Sequence, residues 1–335
     1  MPVQSRFKFA LAALLAVALV PMSAPVAAAD APQKVTLRLD WTTLGYHAPF
    51  YLGLARGYYK DAGLDVSVLE GKGSGTVINL VGNGSDDFAF ADATTAARLI
   101  SQGLPAKVVM GIFQRSTLAV YYAPDRGIRS PKDLAGKRVS MCAGDSMNVY
   151  LPIYLKAIGV PSDGVQQVNV DCSLKYIVVP QNKADAVASY GTAGRPLMQG
   201  VGIAEPGKFD YADAGIVLPS HGIVASDRTV GERKDLVKRF LAATAKAWEA
   251  ARSDPDAAVA ATVAAQPLLK GKEATLKATL LEALQYVDTP ATRGKPFGWQ
   301  SPDDWKKAEA TLVEFAGMKK PASADAFYTN SLVPQ

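Results

Sequence analysis

Cysteine and histidine are scarce: the 335-residue chain holds two of each. Two cysteines cannot staple a disulfide-dense scaffold. Cys142, Cys172, His47 and His221 show none of the short spacings of a zinc site, so no metal is expected. Neither a Gly-x-Ser-x-Gly elbow nor a His-Glu-x-x-His helix is present, which removes two common hydrolytic routes. No apolar stretch reaches the roughly 20 residues of a membrane-spanning helix. Basic residues form no block, and 36 Lys+Arg against 31 Asp+Glu leave a formal charge of only +5, so no nucleic-acid partner is expected.

What is present begins with a leader. Arg6 and Lys8 precede a 12-residue apolar run at 9–20, and residues 26–29 give a small-x-small cleavage pattern. Residues 1–29 therefore read as a secretory signal peptide. Its removal leaves 306 residues with 34 Lys+Arg against 31 Asp+Glu. At 49% hydrophobic and 20% charged residues, this remainder has the composition of a folded chain of about two domains.

Apolar spacing predicts strands at 34–40, 65–69, 88–91 and 106–113, alternating with helices at 50–59, 77–81 and 94–102. A second series follows, with strands at 117–123, 138–142, 165–170 and 184–189 and helices at 149–158 and 175–180. A strand pair is expected at 215–225, then helices at 230–252, 254–265, 272–286 and 302–316. Alternating elements predict an α/β fold of two lobes, each a mostly parallel sheet flanked by helices. Residues 30–120 and 221–335 would form a discontinuous first lobe, and 121–220 the second.

In such sheets a ligand sits beyond the carboxyl ends of the strands. Three groups that could meet a planar ligand, Trp41, Tyr46 and His47, share the loop after the first strand with Asp40. A lone aromatic or histidine there would more simply be core. The glycine-rich turn 71–76 opens a helix, where Ser74, Gly75 and Thr76 could offer donors to a ligand or merely cap the helix. It has neither the Gly-Lys-Ser/Thr ending of a phosphate loop nor the dinucleotide Gly-x-Gly-x-x-Gly spacing. Asp145 and Ser146 occupy the corresponding turn of the second lobe. Asp92, Gln114, Tyr190 and His221 are secondary candidates. Cys142 and Cys172 lie at the ends of adjacent predicted strands, and export would put them in an oxidising space, so a disulfide is expected. Asp40, Asp92 and Asp145 form no fixed catalytic pair, and Asp86 and Asp87 read as a solvated turn.

Residues 39–41 with His47, then 57–60 and 63–66, resemble the opening of the thiamine-pyrimidine-precursor branch of periplasmic solute-binding proteins. Residues 73–75 and 81–88 resemble an anchor shared with the sulfonate, taurine and nitrate binders. Residues 127–137 are similar to the start of that superfamily's second lobe, and 328–330 to the tail of the pyrimidine branch. The resemblance implies a type II periplasmic binding fold: a monomeric receptor, without cofactor, that closes on a small molecule and docks on an ABC permease. Carried over, Trp41 and Tyr46 would stack on a heteroaromatic ring, and Asp40 and His47 would bond its substituents. Ser74, Gly75 and Thr76 would contact it from one lobe, Asp145 and Ser146 from the other. A sulfonate, taurine or another small anion is the alternative ligand. The branch also contains intracellular enzymes that build the pyrimidine from their own histidine and pyridoxal phosphate. They carry a cysteine-rich segment that this chain lacks, so no enzyme activity is expected.

Overall fold

Val35 and Leu37 point inward and Lys34 outward, the period of two that makes residues 33–38 a strand. In a computed structural model of the chain, this strand lies next to the edge of the first of two five-stranded sheets. The structure describes Met1 and residues 31–216, 218–319 and 323–334. Met1 apart, the leader expected at 1–29 lies outside the described residues. All that follows concerns the unit Pro32–Gln335.

The chain runs β1 (Gln33–Arg38), α1 (Ala48–Ala55), α2 (Tyr58–Asp61), β2 (Leu64–Leu69), α3 (Ser74–Gly82), β3 (Phe88–Asp92), α4 (Ala93–Ser101) and β4 (Ala106–Gly111). It crosses to the second sheet for β5 (Leu118–Tyr122), β6 (Arg138–Cys142), α5 (Met147–Ala157), β7 (Gln166–Val170), β8 (Ala186–Tyr190), α6 (Gly194–Gly200) and β9 (Gly207–Asp210). It returns through β10 (His221–Ser226) and ends in α7 (Asp227–Glu232), α8 (Lys234–Ser253), α9 (Pro255–Ala265), α10 (Glu273–Leu284) and α11 (Pro302–Ala316).

The first sheet has the order β2-β1-β3-β10-β4, the second β7-β6-β8-β5-β9. β10 runs antiparallel to β3 and β4, as β5 does to β8 and β9; the remaining pairs are parallel. The two crossings touch each other: Ser220 N donates to Phe113 O at 3.0 Å, and the Thr117 and Ser220 hydroxyls are 3.2 Å apart. β3 is buried on both faces, which explains its unbroken apolar sequence. Its phenylalanines face α8, where Phe88 stacks on Phe240 with ring centroids 4.1 Å apart. Its alanines face the side covered by α3 and α4. The smaller residues let those helices sit close, and their N-termini arrive at the carboxyl ends of the strands.

Four expectations change. The helix expected at 50–59 is split, because Gly57 takes φ +72° between α1 and α2. Among the described residues of 215–225 there is one strand, β10, and not a pair: Tyr211–Ala214 is a short 3-10 turn, and Pro219, with no N–H to donate, stands just before β10. Residues 175–180 form successive turns rather than a helix, following a 3-10 turn at Cys172–Leu174 and running on past Pro180 to Asn182. Asp86 is buried, not solvated: both its oxygens accept from Arg38, at 2.9 and 3.2 Å, while Asp87 accepts from Thr36 N at 2.9 Å and pairs with Arg233. This turn pins two strands and α8.

Candidate ligand site between the two sheets

The loop leaving β1 is tied to the glycine-rich turn before α3. Asp40 O accepts from Gly73 N at 2.7 Å, and Trp41 O from Gly71 N at 3.2 Å. These bonds turn the Asp40 carboxylate toward the second sheet while keeping it almost wholly buried. Two histidines clamp it from behind. His47 Nε2 lies 2.7 Å from Oδ1 and His221 Nε2 3.1 Å from Oδ2, and the Tyr46 hydroxyl donates to Oδ2 at 3.3 Å. His47 Nδ1 accepts from Leu44 N at 3.0 Å, which assigns the proton to Nε2 and makes it the donor to Asp40.

Burial by itself would raise the Asp40 pKa. Attraction to His221 and the hydrogen bonds from both rings outweigh it, so the carboxyl is held well below its usual range. Burial lowers the His47 pKa against the opposing bond to Asp40, and the ring is neutral at pH 7. Burial, then the charge of Asp40, pushes the Tyr46 hydroxyl far up. The site thus presents a fixed carboxylate whose neighbours are donors.

The second sheet supplies the opposite wall. Asp145 and Ser146 stand at the start of α5. Asp145 pairs with the Lys175 amine, both side chains being nearly inaccessible. That amine also faces the Trp41 ring, 5.4 Å from its centroid. Ser146 accepts from Thr95 of the first lobe at 2.8 Å. Tyr190 packs edge-on to His221 at 4.6 Å, and its hydroxyl is buried without a hydrogen-bond partner. Glycines let the lobes meet: a Cβ on Gly73 would fall 2.3 Å from Gly144 O. The chamber so enclosed has only about 20 Å³ open to a water-sized sphere, room for roughly one water. A ring can enter only if the walls separate.

Of the residues singled out in the sequence, Asp40, Trp41, Tyr46, Ser74, Asp145, Ser146 and Tyr190 line this chamber. His47 and His221 stand behind Asp40 and reach it through that carboxylate. Asp92 caps α4 by accepting from Thr95 N at 2.6 Å. Gln114 bonds Gly111 O and Trp299 O at the crossing, each at 3.0 Å. Thr76 is exposed, its hydroxyl on Lys72 O at 3.4 Å, and Gly75 lies beside Gly144. Leu44, Lys175, Tyr176, Ser189 and Leu197 line the chamber without having been singled out. Lys175 follows the cysteine pair closely, and that proximity was the one available signal. Cys142 and Cys172 are bonded, with Cα atoms 5.2 Å apart, which fastens the segment bearing Lys175 and Tyr176 to the end of β6. Among the described residues no group of three or more His, Cys, Asp or Glu is placed to hold a metal ion.

The chain is 24% identical over 327 residues to the riboflavin-binding protein RibY of Chloroflexus aurantiacus, covering 94% of this chain and 91% of the relative. It is 24% identical over 308 residues to a formylaminopyrimidine-binding protein of Halalkalibacterium halodurans, covering 89% and 90%. A Candida albicans 4-amino-5-hydroxymethyl-2-methylpyrimidine phosphate synthase is 27% identical over 232 residues, covering 64% and 66%. Among solved structures, the alkanesulfonate-binding protein SsuA of Xanthomonas axonopodis pv. citri superposes with a TM-score of 0.69 at 15% identity, covering 89% of this chain and 99% of its own. That likeness gives the fold, a periplasmic binding protein fold. The sequence model of the family described as NMT1/THI5 like matches residues 45–258.

Proposed function

The chain belongs to the NMT1/THI5-like family, and on that premise we propose that it is the extracytoplasmic receptor of an ABC importer. Its ligand is a planar heteroaromatic molecule bearing hydrogen-bond donors. The observation that carries this reading is the Asp40 carboxylate, fixed at the chamber wall beside Trp41 and Tyr46. A buried carboxylate surrounded by donors favours one more donor, such as a ring N–H or amino group. The aromatic faces favour a flat partner.

The charges of the chamber favour this ligand over a sulfonate. Asp40 and Asp145 face it with Lys175 as the only cation among its lining residues, and Lys175 is already paired with Asp145. An anion would have to break that pair or rely on helix N-termini beside two carboxylates. The synthases among the relatives suggest the other function, an enzyme. The fully buried His47 ring, with both nitrogens engaged, speaks for a receptor, since it presents no free nitrogen to a bound molecule.

A ligand held by both walls binds the closed form better than the open one and shifts the population toward it. The closed form would then dock on the permease. The leader read at 1–29 supports placement outside the cytoplasm, and no described helix is long and apolar enough to cross a membrane. Thermal unfolding with a panel of aminopyrimidines, flavin-type rings and alkanesulfonates tests the reading. A true ligand at 100-fold its Kd adds about 2.7 kcal/mol of stability. Stabilisation by the rings is expected; stabilisation by sulfonates alone overturns the ligand assignment.

A further inference from the structure

We infer that Tyr150 and Ser146 latch the lobes shut through bonds made directly between them, so that the chain samples closure on its own and the ligand selects that form. The inference takes from the reading above only that the lobes close on a ligand. Ser146 precedes α5 and Tyr150 stands in its first turn, both in the second lobe. They reach the first lobe at the start of α4. The Tyr150 hydroxyl donates to Asp92 Oδ1 at 3.2 Å and meets the Thr94 hydroxyl. The Thr95 hydroxyl donates to Ser146 Oγ at 2.8 Å. Asp92 is held in place for this contact. It accepts from the Thr94 hydroxyl at 2.9 Å and from Thr95 N at 2.6 Å, and its own N–H donates to Ser74 Oγ at 3.0 Å.

Ser146 apart, none of these groups lines the chamber, so Tyr150 acts on a bound molecule through closure rather than contact. Asp92, Thr94, Thr95, Ser146 and Tyr150 are all almost wholly buried. Burial, then the charge of Asp92, pushes the Tyr150 hydroxyl far up, which keeps it a donor. Opening would wet these groups and the Tyr150 ring, which shares one apolar cluster with Ala93, Ala96 and Ala97 of α4. A hydrogen bond contributes little net once water can replace it, and more where its acceptor is a buried carboxylate. The contact stands at the root of the cleft, beside the second crossing, where Ala93 N donates to Ser220 O at 2.8 Å. A receptor whose closed form is better populated before binding loses less affinity to the cost of closing.

Solution scattering on the whole mature chain, with titration of 4-amino-5-hydroxymethyl-2-methylpyrimidine as the probe, tests the latch. Tyr150→Phe and Thr95→Val each remove one of its hydroxyls with little change in side-chain shape. Each is expected to raise the radius of gyration of the probe-free chain. Each should also weaken the probe about three- to tenfold, the equivalent of one net hydrogen bond. Saturating probe should return the radius to that of the unaltered chain. Tyr154→Phe is the control, because it removes a hydroxyl from the same helix on a ring that stacks on Tyr211 within the second lobe. It should move neither quantity. A probe-free radius unchanged in both latch variants means that these bonds survive opening, and overturns the inference. So does a shift that Tyr154→Phe reproduces. If the probe fails to bind, the planar-ring reading falls, and the radius of the probe-free chain still decides the latch.

Discussion

The Lys175 amine and the Trp41 indole face each other across the cleft at 5.4 Å, one from each lobe. Lys175 is simultaneously paired with Asp145. The buried amine thus covers the ring from one side, and the proposed stacking of a flat ligand on the indole requires the Lys175 side to draw back or the other face to be used. Trp41→Ala should weaken a planar ligand by roughly 1–3 kcal/mol, about 5- to 150-fold in Kd. Trp41 is only half-buried, so the free chain should unfold close to its original midpoint. Calorimetric titration beside urea unfolding reads both quantities. Unchanged affinity would remove the stacking role. In contrast, Lys175→Met strands a buried carboxylate and should cost stability outright, by about 3–5 kcal/mol.

Gly73 and Gly144 set how closely the lobes approach. Gly73 takes φ +103°, and an added Cβ would meet Gly144 O at 2.3 Å. Gly73→Ala should therefore hold the lobes apart, lowering ligand affinity at least tenfold and raising the radius of gyration in solution scattering. Gly84→Ala is the control, because φ is +79° there but nothing lies within 4 Å. It should lose about 1 kcal/mol of stability from backbone strain with affinity unchanged. Equal affinities for the two variants would mean that the glycine contact does not govern closure.

Acid should destabilise the fold in two stages. His47 has a folded pKa below the ordinary 6.5, so below pH 6.5 the unfolded chain takes up a proton that the folded chain refuses. The stability tied to the neutral ring is present above 6.5 and is lost as pH falls toward the folded value. Asp40 follows the same sign at lower pH: its carboxyl is depressed, so its contribution is lost below about 3.9, the unfolded value. Unfolding free energies at pH 7.5, 5.5 and 4 should fall in that order. His47→Gln should be less stable at pH 7.5 and show a flatter profile down to 5.5. A profile as steep as that of the unaltered chain would remove His47 from the first stage.

Much of this arrangement was legible in the chain because local rules and tertiary demands agree. The alternation at 34–38 and the apolar run at 88–91 have one reading each, and both became strands of the first sheet. The strand-end loops that follow carry Asp40 and Trp41 to the cleft for the same reason. Lys175 was legible only as a neighbour of Cys172, and its role was not. Its place depends on a turn whose residues have no propensity strong enough to exclude a helix, and on a partner, Asp145, that lies far away in sequence. α6 and β9 went unread because neither has a period: Gly194–Gly200 is short and glycine-bounded, and Gly207–Asp210 offers one inward aromatic, Phe209. The outward rather than inward reading of Asp86 failed because Arg38, its partner, lies on another strand.

The disulfide holds the lip of the cleft. Cys142 and Cys172 are 30 residues apart, and a closed loop of that size constrains the unfolded chain by about 3–4 kcal/mol. The bonded segment carries Lys175 and Tyr176, which line the chamber. Reduction should therefore act twice, lowering the urea midpoint and loosening the wall that the ligand must meet. The paired variant Cys142→Ser with Cys172→Ser separates the two effects from thiol chemistry. It should lose about 3 kcal/mol of unfolding free energy and bind ligand more weakly even at temperatures where it is fully folded, because the lip must be ordered at the moment of binding. A variant that is less stable yet binds with unchanged affinity would confine the disulfide to the fold, since a wall that orders itself without the bond imposes no added cost on the ligand.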